Sequence, residues 1–158
     1  MTHPATLQVT TPNDREIVIT RDFNARPALV FDAHTKPELV KRWMFGPDGW
    51  SFSVCDIDLR VGGKYRFVWR KGDEEMGMGG TYRDIARPER LVSSELFDED
   101  WTGGETLNTM LLTEMGGGTR LTTTLLYSSK EARDGALQSG MDEGMAAGYD
   151  RLDAILAE

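Results

Sequence analysis

The sequence predicts an α+β domain: an antiparallel sheet of about seven strands, two short helices after the first strand, and a long helix at the C-terminus. Three observations carry this. Residues 64–70 alternate strictly, with Tyr65, Phe67 and Trp69 on one parity and Lys64, Arg66 and Arg70 on the other, which is the period of a strand. Segments of that kind, separated by turn residues, fill the chain from Trp50 to about Tyr127, the pattern of an antiparallel meander. Beyond Lys130 the period changes: Leu137, Met141, Met145, Tyr149, Leu152, Ile155 and Leu156 recur at three- and four-residue spacing, as on one face of a helix.

Residues 1–14 are polar, with Pro4 and Pro12, and read as a loose lead-in to a single domain over 15–158. The first strand follows, with Ile17, Ile19 and Phe23 on one parity. Asn24 is a candidate cap for a helix from Pro27 to Ala33, and Thr35 with Pro37 and Glu38 reads as the start of a second, ending near Trp43 and Met44. Gly46, Pro47, Asp48 and Gly49 break the chain. Strands are then expected at Trp50–Leu59, Lys64–Arg70, around Met76–Tyr82, Arg90–Phe97, Thr106–Glu114 and Thr119–Tyr127, the last two forming a hairpin. Glycines on both parities of the Met76–Tyr82 strand suggest bending. The C-terminal helix is expected to run unbroken from Lys130. Its glycines 135, 140, 144 and 148 each cost about 1 kcal/mol relative to Ala, so close packing is expected to compensate.

The chain has 158 residues, one domain's worth, long enough to hold a cavity as well as a core. Its 18 Lys and Arg against 26 Asp and Glu leave a net charge of −8, the wrong sign for a phosphate backbone or an anionic membrane. Nucleic acid and membrane are therefore not expected partners. Cys55 is the lone cysteine, so no internal disulfide can form, and one Cys with two His falls short of the usual zinc sets. The first twenty residues lack a signal peptide's basic start and apolar stretch, and no apolar run reaches the ~20 residues of a membrane span. A soluble, cytoplasmic protein is expected.

Five segments carry a family resemblance: FNARPALVFDAHTKPELVKRWMFGPDGW, CDIDLRVGGKYRFVWR, GGTYRDIARPERLV, GGGTRLTTTL and GMDEGMAAGYDRLDAIL. In this order they resemble the successive signatures of the activator of heat shock protein 90 ATPase homologue-like proteins. That family lies in the START-like, or SRPBCC, superfamily. The resemblance spans about Arg15 to Leu156. It implies the helix-grip fold, in which a curved antiparallel sheet wraps around the final helix and encloses an apolar cavity for a hydrophobic small molecule. Where relatives often carry Trp in the last helix this chain has Met145, and Tyr149 stands where Leu is common.

With a cavity implied there, Trp43, Phe52, Tyr65, Phe67, Trp69, Met78, Tyr82, Met110, Met141, Met145 and Tyr149 are the candidate ligand-binding residues, with Met76 beside them. Aromatic and thioether side chains make polarizable, adaptable walls; the competing reading is plain core filling. Glu95 shares a parity with Leu91 and Phe97, so it reads either as an inward carboxyl able to act as general acid or base or as a partnered structural residue. Asp58 and Arg60 read as a turn-fixing pair, His3 and His34 as exposed loop residues, Cys55 as a packing residue, and Gly116–Gly118 as a turn lacking the Lys-Ser/Thr of a phosphate loop.

The leading expectation is a binding protein for a hydrophobic small molecule, serving sequestration, sensing or resistance, with no cofactor, no metal and no catalytic residue. A cyclase- or aromatase-type enzyme is the alternative. A module that stimulates a chaperone ATPase in stress response is third, because the eukaryotic activators pair this domain with a chaperone-binding one for which this length leaves no room. Pairing as a homodimer is left open.

Overall fold

The computed structural model describes residues 7–100 and 103–158. Its strands and helices follow in the order β1 (Gln8–Thr10), β2 (Glu16–Phe23), α1 (Pro27–Thr35), α2 (Pro37–Trp43), β3 (Ser51–Ile57), β4 (Lys64–Lys71), β5 (Glu74–Ala86), β6 (Arg90–Phe97), β7 (Thr106–Met115), β8 (Gly118–Leu126), α3 (Lys130–Gln138) and α4 (Met141–Leu156). The strands form one eight-stranded sheet in the order β1-β2-β8-β7-β6-β5-β4-β3, each pair antiparallel. The eighth strand, β1, lies within the stretch expected as a loose lead-in, where Val9 pairs with Ile19.

The alternation that marks the strands also sorts their faces. Ile17, Ile19, Arg21 and Phe23 of β2 and Tyr65, Phe67 and Trp69 of β4 are buried, while Lys64, Arg70 and Lys71 are exposed. Register shifts between Phe52 and Val54 and between Tyr82 and Asp84 disturb the β3–β4 and β5–β6 ladders. Such irregularities bend a sheet and increase its twist. Gly80 serves a different purpose: a Cβ there would lie 1.8 Å from the Ser94 carbonyl oxygen and 3.0 Å from the Tyr65 ring. Its missing side chain lets Tyr65 cross β5 and donate its hydroxyl to the Ser94 carbonyl at 2.7 Å.

Both short helices begin with Pro at the first turn, but neither is capped as the sequence suggested. Arg26, not Asn24, is the N-cap of α1, and Lys36, not Thr35, that of α2. The Thr35 hydroxyl instead donates back to the Phe31 carbonyl within α1. The largest departure is in the C-terminal helix, which is two helices. Gly140 adopts φ +82°, the left-handed region that Gly alone enters at no steric cost, and the chain turns there between α3 and α4. Ser129 caps α3 through the Ala132 amide.

Two arginines pin α4 across the sheet's inner face. Arg21, only 2% exposed, reaches from β2 to Asp150 at 3.1 Å and stacks on Phe23. Arg151 donates to the carbonyls of Trp43 and Gly46 and lies over the Phe45 ring. Behind these clamps Tyr149 and Leu152 enter the main core with Phe23, Val30, Phe31, Val40 and Trp43. A second core lies under α3, where Ala132 and Ala136 meet Ile17, Ile19, Leu125 and Tyr127. No helix of the described residues is long and apolar enough to cross a membrane.

Candidate functional site

Between the inner face of the sheet and α4 lies a cavity of about 720 Å³. Its floor is made of inward residues of β4 to β8 and its roof of the α3–α4 turn and the first turns of α4, and Met44, Gly46, Pro47 and Trp50 after α2 complete the lining. A volume of this size holds a drug-sized molecule.

Ten of the eleven candidates line it. Tyr65, Phe67 and Trp69 come from β4, Met78 and Tyr82 from β5, Met110 from β7, Met141, Met145 and Tyr149 from α4, and Trp43 from the end of α2. Met76, on the rim, joins them. Phe52 does not. It belongs to β3, the last strand of the sheet, and packs beside Phe67 and Trp69 with ring centroids 5.7 and 5.3 Å away. It supports the wall from outside the cavity, a placement that strand parity alone could not distinguish from lining.

The aromatic wall is rigid because its polar tips are bonded. Trp43 donates its indole N–H to the Ala33 carbonyl at 2.9 Å, Trp69 to the Met44 carbonyl at 2.8 Å, and Tyr65 to Ser94. Trp43 stacks on Tyr149 at 5.4 Å, and the Tyr149 hydroxyl meets Thr123. Burial pushes the hydroxyls of Tyr65, Tyr82, Tyr127 and Tyr149 above the usual phenol range, so all four stay protonated.

The floor is less apolar than the sequence suggested. Ser93 of β6 lies directly across from Asn108 of β7, and Glu95 is next on the same face of β6. Glu95 is half-buried, and the partial loss of solvent raises its carboxyl's pKa while a hydrogen bond from Asn108 opposes the shift. Tyr65 and Tyr127 are close enough to feel its charge. Inward parity pointed to Glu95; the same parity, applied to Ser93 with Leu91 and to Asn108 with Met110, marks the other two.

His34 is no loop residue. It lies in the last turn of α1 and lines the cavity beside Trp43 and Tyr149, ring centroids 5.0 and 6.0 Å away. Its Nδ1 faces the Val30 carbonyl at 2.8 Å, so Nδ1 carries the proton and Nε2 is a bare acceptor, buried without a partner among the described residues. Burial lowers its pKa to about 4, so the ring is neutral. His3 lies outside the described residues. Cys55 is buried, its thiol pushed up by burial, and does not line the cavity. Asp58 and Arg60 pair at 2.8 Å on the exposed turn before β4. Gly116 and Gly117 form the β7–β8 turn with positive φ.

This architecture matches known proteins over nearly its whole length. The family model for Activator of Hsp90 ATPase homolog 1-like protein matches residues 24–157. A crystal structure from Rhodobacter sphaeroides is 35% identical, with 96% of this chain and 98% of that one covered at a TM-score of 0.91. One from Mycobacterium smegmatis is 27% identical, with 97% of each chain covered at 0.83. A solution structure from Arthrobacter aurescens is 25% identical, covering 95% of this chain and 91% of that one at 0.81. These neighbours share the START-like fold. No curated protein matches the chain with significance.

Proposed function

We propose, from the premise that the chain belongs to the Activator of Hsp90 ATPase homolog 1-like family, that it binds a hydrophobic small molecule between the sheet and α4. The observation that carries this is the cavity itself: about 720 Å³, lined by bonded aromatic rings and by five methionines, Met44, Met76, Met78, Met110 and Met141, with Met145 as a sixth. Rings fixed by hydrogen bonds offer a preformed surface, and the thioethers adapt to the ligand's outline. Trp43, Trp50 and Trp69, three of the four tryptophans, border the space. An apolar ligand should therefore change the intrinsic fluorescence saturably, and native mass spectrometry of protein from its own host should show a retained molecule. Silence of the fluorescence toward every member of a broad apolar panel would overturn the reading.

Catalysis on such a ligand is the second reading, favoured by the half-buried Glu95 carboxyl held next to Asn108 on the cavity floor. New masses formed from a bound ligand, and lost in Glu95→Gln, would decide for it.

A further inference from the structure

Charge is distributed unevenly between surface and cavity. On the surface, several carboxylates are paired with arginines, Asp22 with Arg120, Asp98 with Arg66, Asp84 with Arg90 and Glu105 with Arg83, each within 3.1 Å, and others face water. Glu95 is the acidic side chain lining the cavity, and it makes no ion pair among the described residues. The Asn108 amide is its hydrogen-bond partner. Ser93 adjoins it on its own strand, the Tyr65 hydroxyl from β4 and the Tyr127 hydroxyl beyond β8 lie near it, and His34 of α1, neutral above a pH of about 4, brings an imidazole to the cavity lining. Among the described residues the cavity's one guanidinium, Arg151, is committed to the backbone carbonyls of Trp43 and Gly46.

We propose that the cavity recognises an organic cation, an apolar amine or quaternary ammonium compound, with its charge against the Glu95 carboxylate and its apolar body against the aromatic walls. This rests on the binding reading above and specifies its ligand class. A carboxylate without a cation in a partly desolvated site is held at a cost. A cationic ligand removes that cost by supplying the missing partner. The walls add to the preference, since the faces of Trp and Tyr rings carry negative charge density that attracts cations and leaves neutral ligands indifferent. An anionic amphiphile would meet Glu95 with like charge. The half-buried position of Glu95 also means that the carboxyl competes with protons for its charge, and a bound cation favours the ionised form.

The test is calorimetric titration with three phenylalkyl molecules: phenylbutyl-trimethylammonium, its neutral isostere with carbon for nitrogen, and the anion phenylbutyrate. The cation should bind at least about tenfold tighter than the neutral isostere, with phenylbutyrate weakest. Glu95→Gln should remove most of the cation's advantage over the isostere. In the unmodified protein, acidification toward the carboxyl's own titration, kept above the pH of about 4 at which His34 on the same cavity takes up a proton, should weaken the cation and spare the isostere. Equal binding of cation and isostere, or an advantage that survives in Glu95→Gln or in acid, would overturn the inference while the cavity's binding role stood. Binding of none of the three would overturn both.

Discussion

The helices α3 and α4 carry small residues at similar intervals and use them in opposite ways. In α3, Ala132 and Ala136 are 8% and 1% exposed and bring the helix down onto Ile17, Ile19 and Leu125. In α4, Gly144 lies over the cavity, and a Cβ there would find no atom within 4 Å; at Gly148 it would make ordinary contact with Trp43 at 3.6 Å. The expectation that the helix glycines are offset by close packing therefore fails for Gly135, Gly140 and Gly144, which all face open space. Tight packing of α4 is confined to its second half, where Tyr149 and Leu152 are buried and the arginine clamps act. A small residue at helical spacing marks closeness to something or room for something; the lesson of this pair is that only the surroundings tell which.

The contrast extends to charge, and there the largest effect is expected. On the filled side, buried Arg133 is partnered by the Asn13 carbonyl and Asp134. On the open side His34 has no partner at Nε2 and stays neutral down to a pH of about 4, against 6.5 when exposed. Between those values the unfolded chain binds a proton that the folded one refuses, so stability falls as the pH drops through that window. At ~1.4 kcal/mol per pKa unit the loss is at most about 3.5 kcal/mol. Denaturant unfolding at a series of pH values should show a shallower decline for His34→Leu, and an equally steep one would show that His34 does not supply this slope.

Next in size, Ala136→Leu should overpack the filled side and lower stability by ~1–3 kcal/mol. Met145→Trp, whose side chain borders the cavity, should lose little stability and exclude the bulkier members of a graded ligand series. Thermal unfolding and ligand titration of both variants check the pair, and a marked loss of stability in Met145→Trp would place that residue in the filled core.

The smallest effect separates two glycines. Gly144→Ala should raise stability by up to ~1 kcal/mol, because helix propensity improves and nothing is in the way. Gly140→Ala should lower it by a similar or larger amount, because φ +82° is unfavourable for any residue with a Cβ. Equal melting temperatures for the two variants would contradict the break between α3 and α4.

The architecture was legible because alternation and helical spacing are local signals. The bounds of β6 coincide with the expected Arg90–Phe97, and the β4 stripe lies on the face assigned to it. The lining of the cavity by Met110, Met141, Met145 and Tyr149 was implied by resemblance and parity together. What the sequence by itself determined about this protein is therefore its set of elements and most of the inward faces, since one residue's parity or helical phase settles each. Tertiary structure decided the rest: that Gly140 is a corner and not a helix residue, that Phe52 backs the wall from the sheet's outer strand, that His34 turns inward beside Trp43 and Tyr149, and that Ser93, Asn108 and Glu95 meet on one floor. Each of these depends on which segments become neighbours across long stretches of chain, and burial, pairing and empty space are properties of those neighbours.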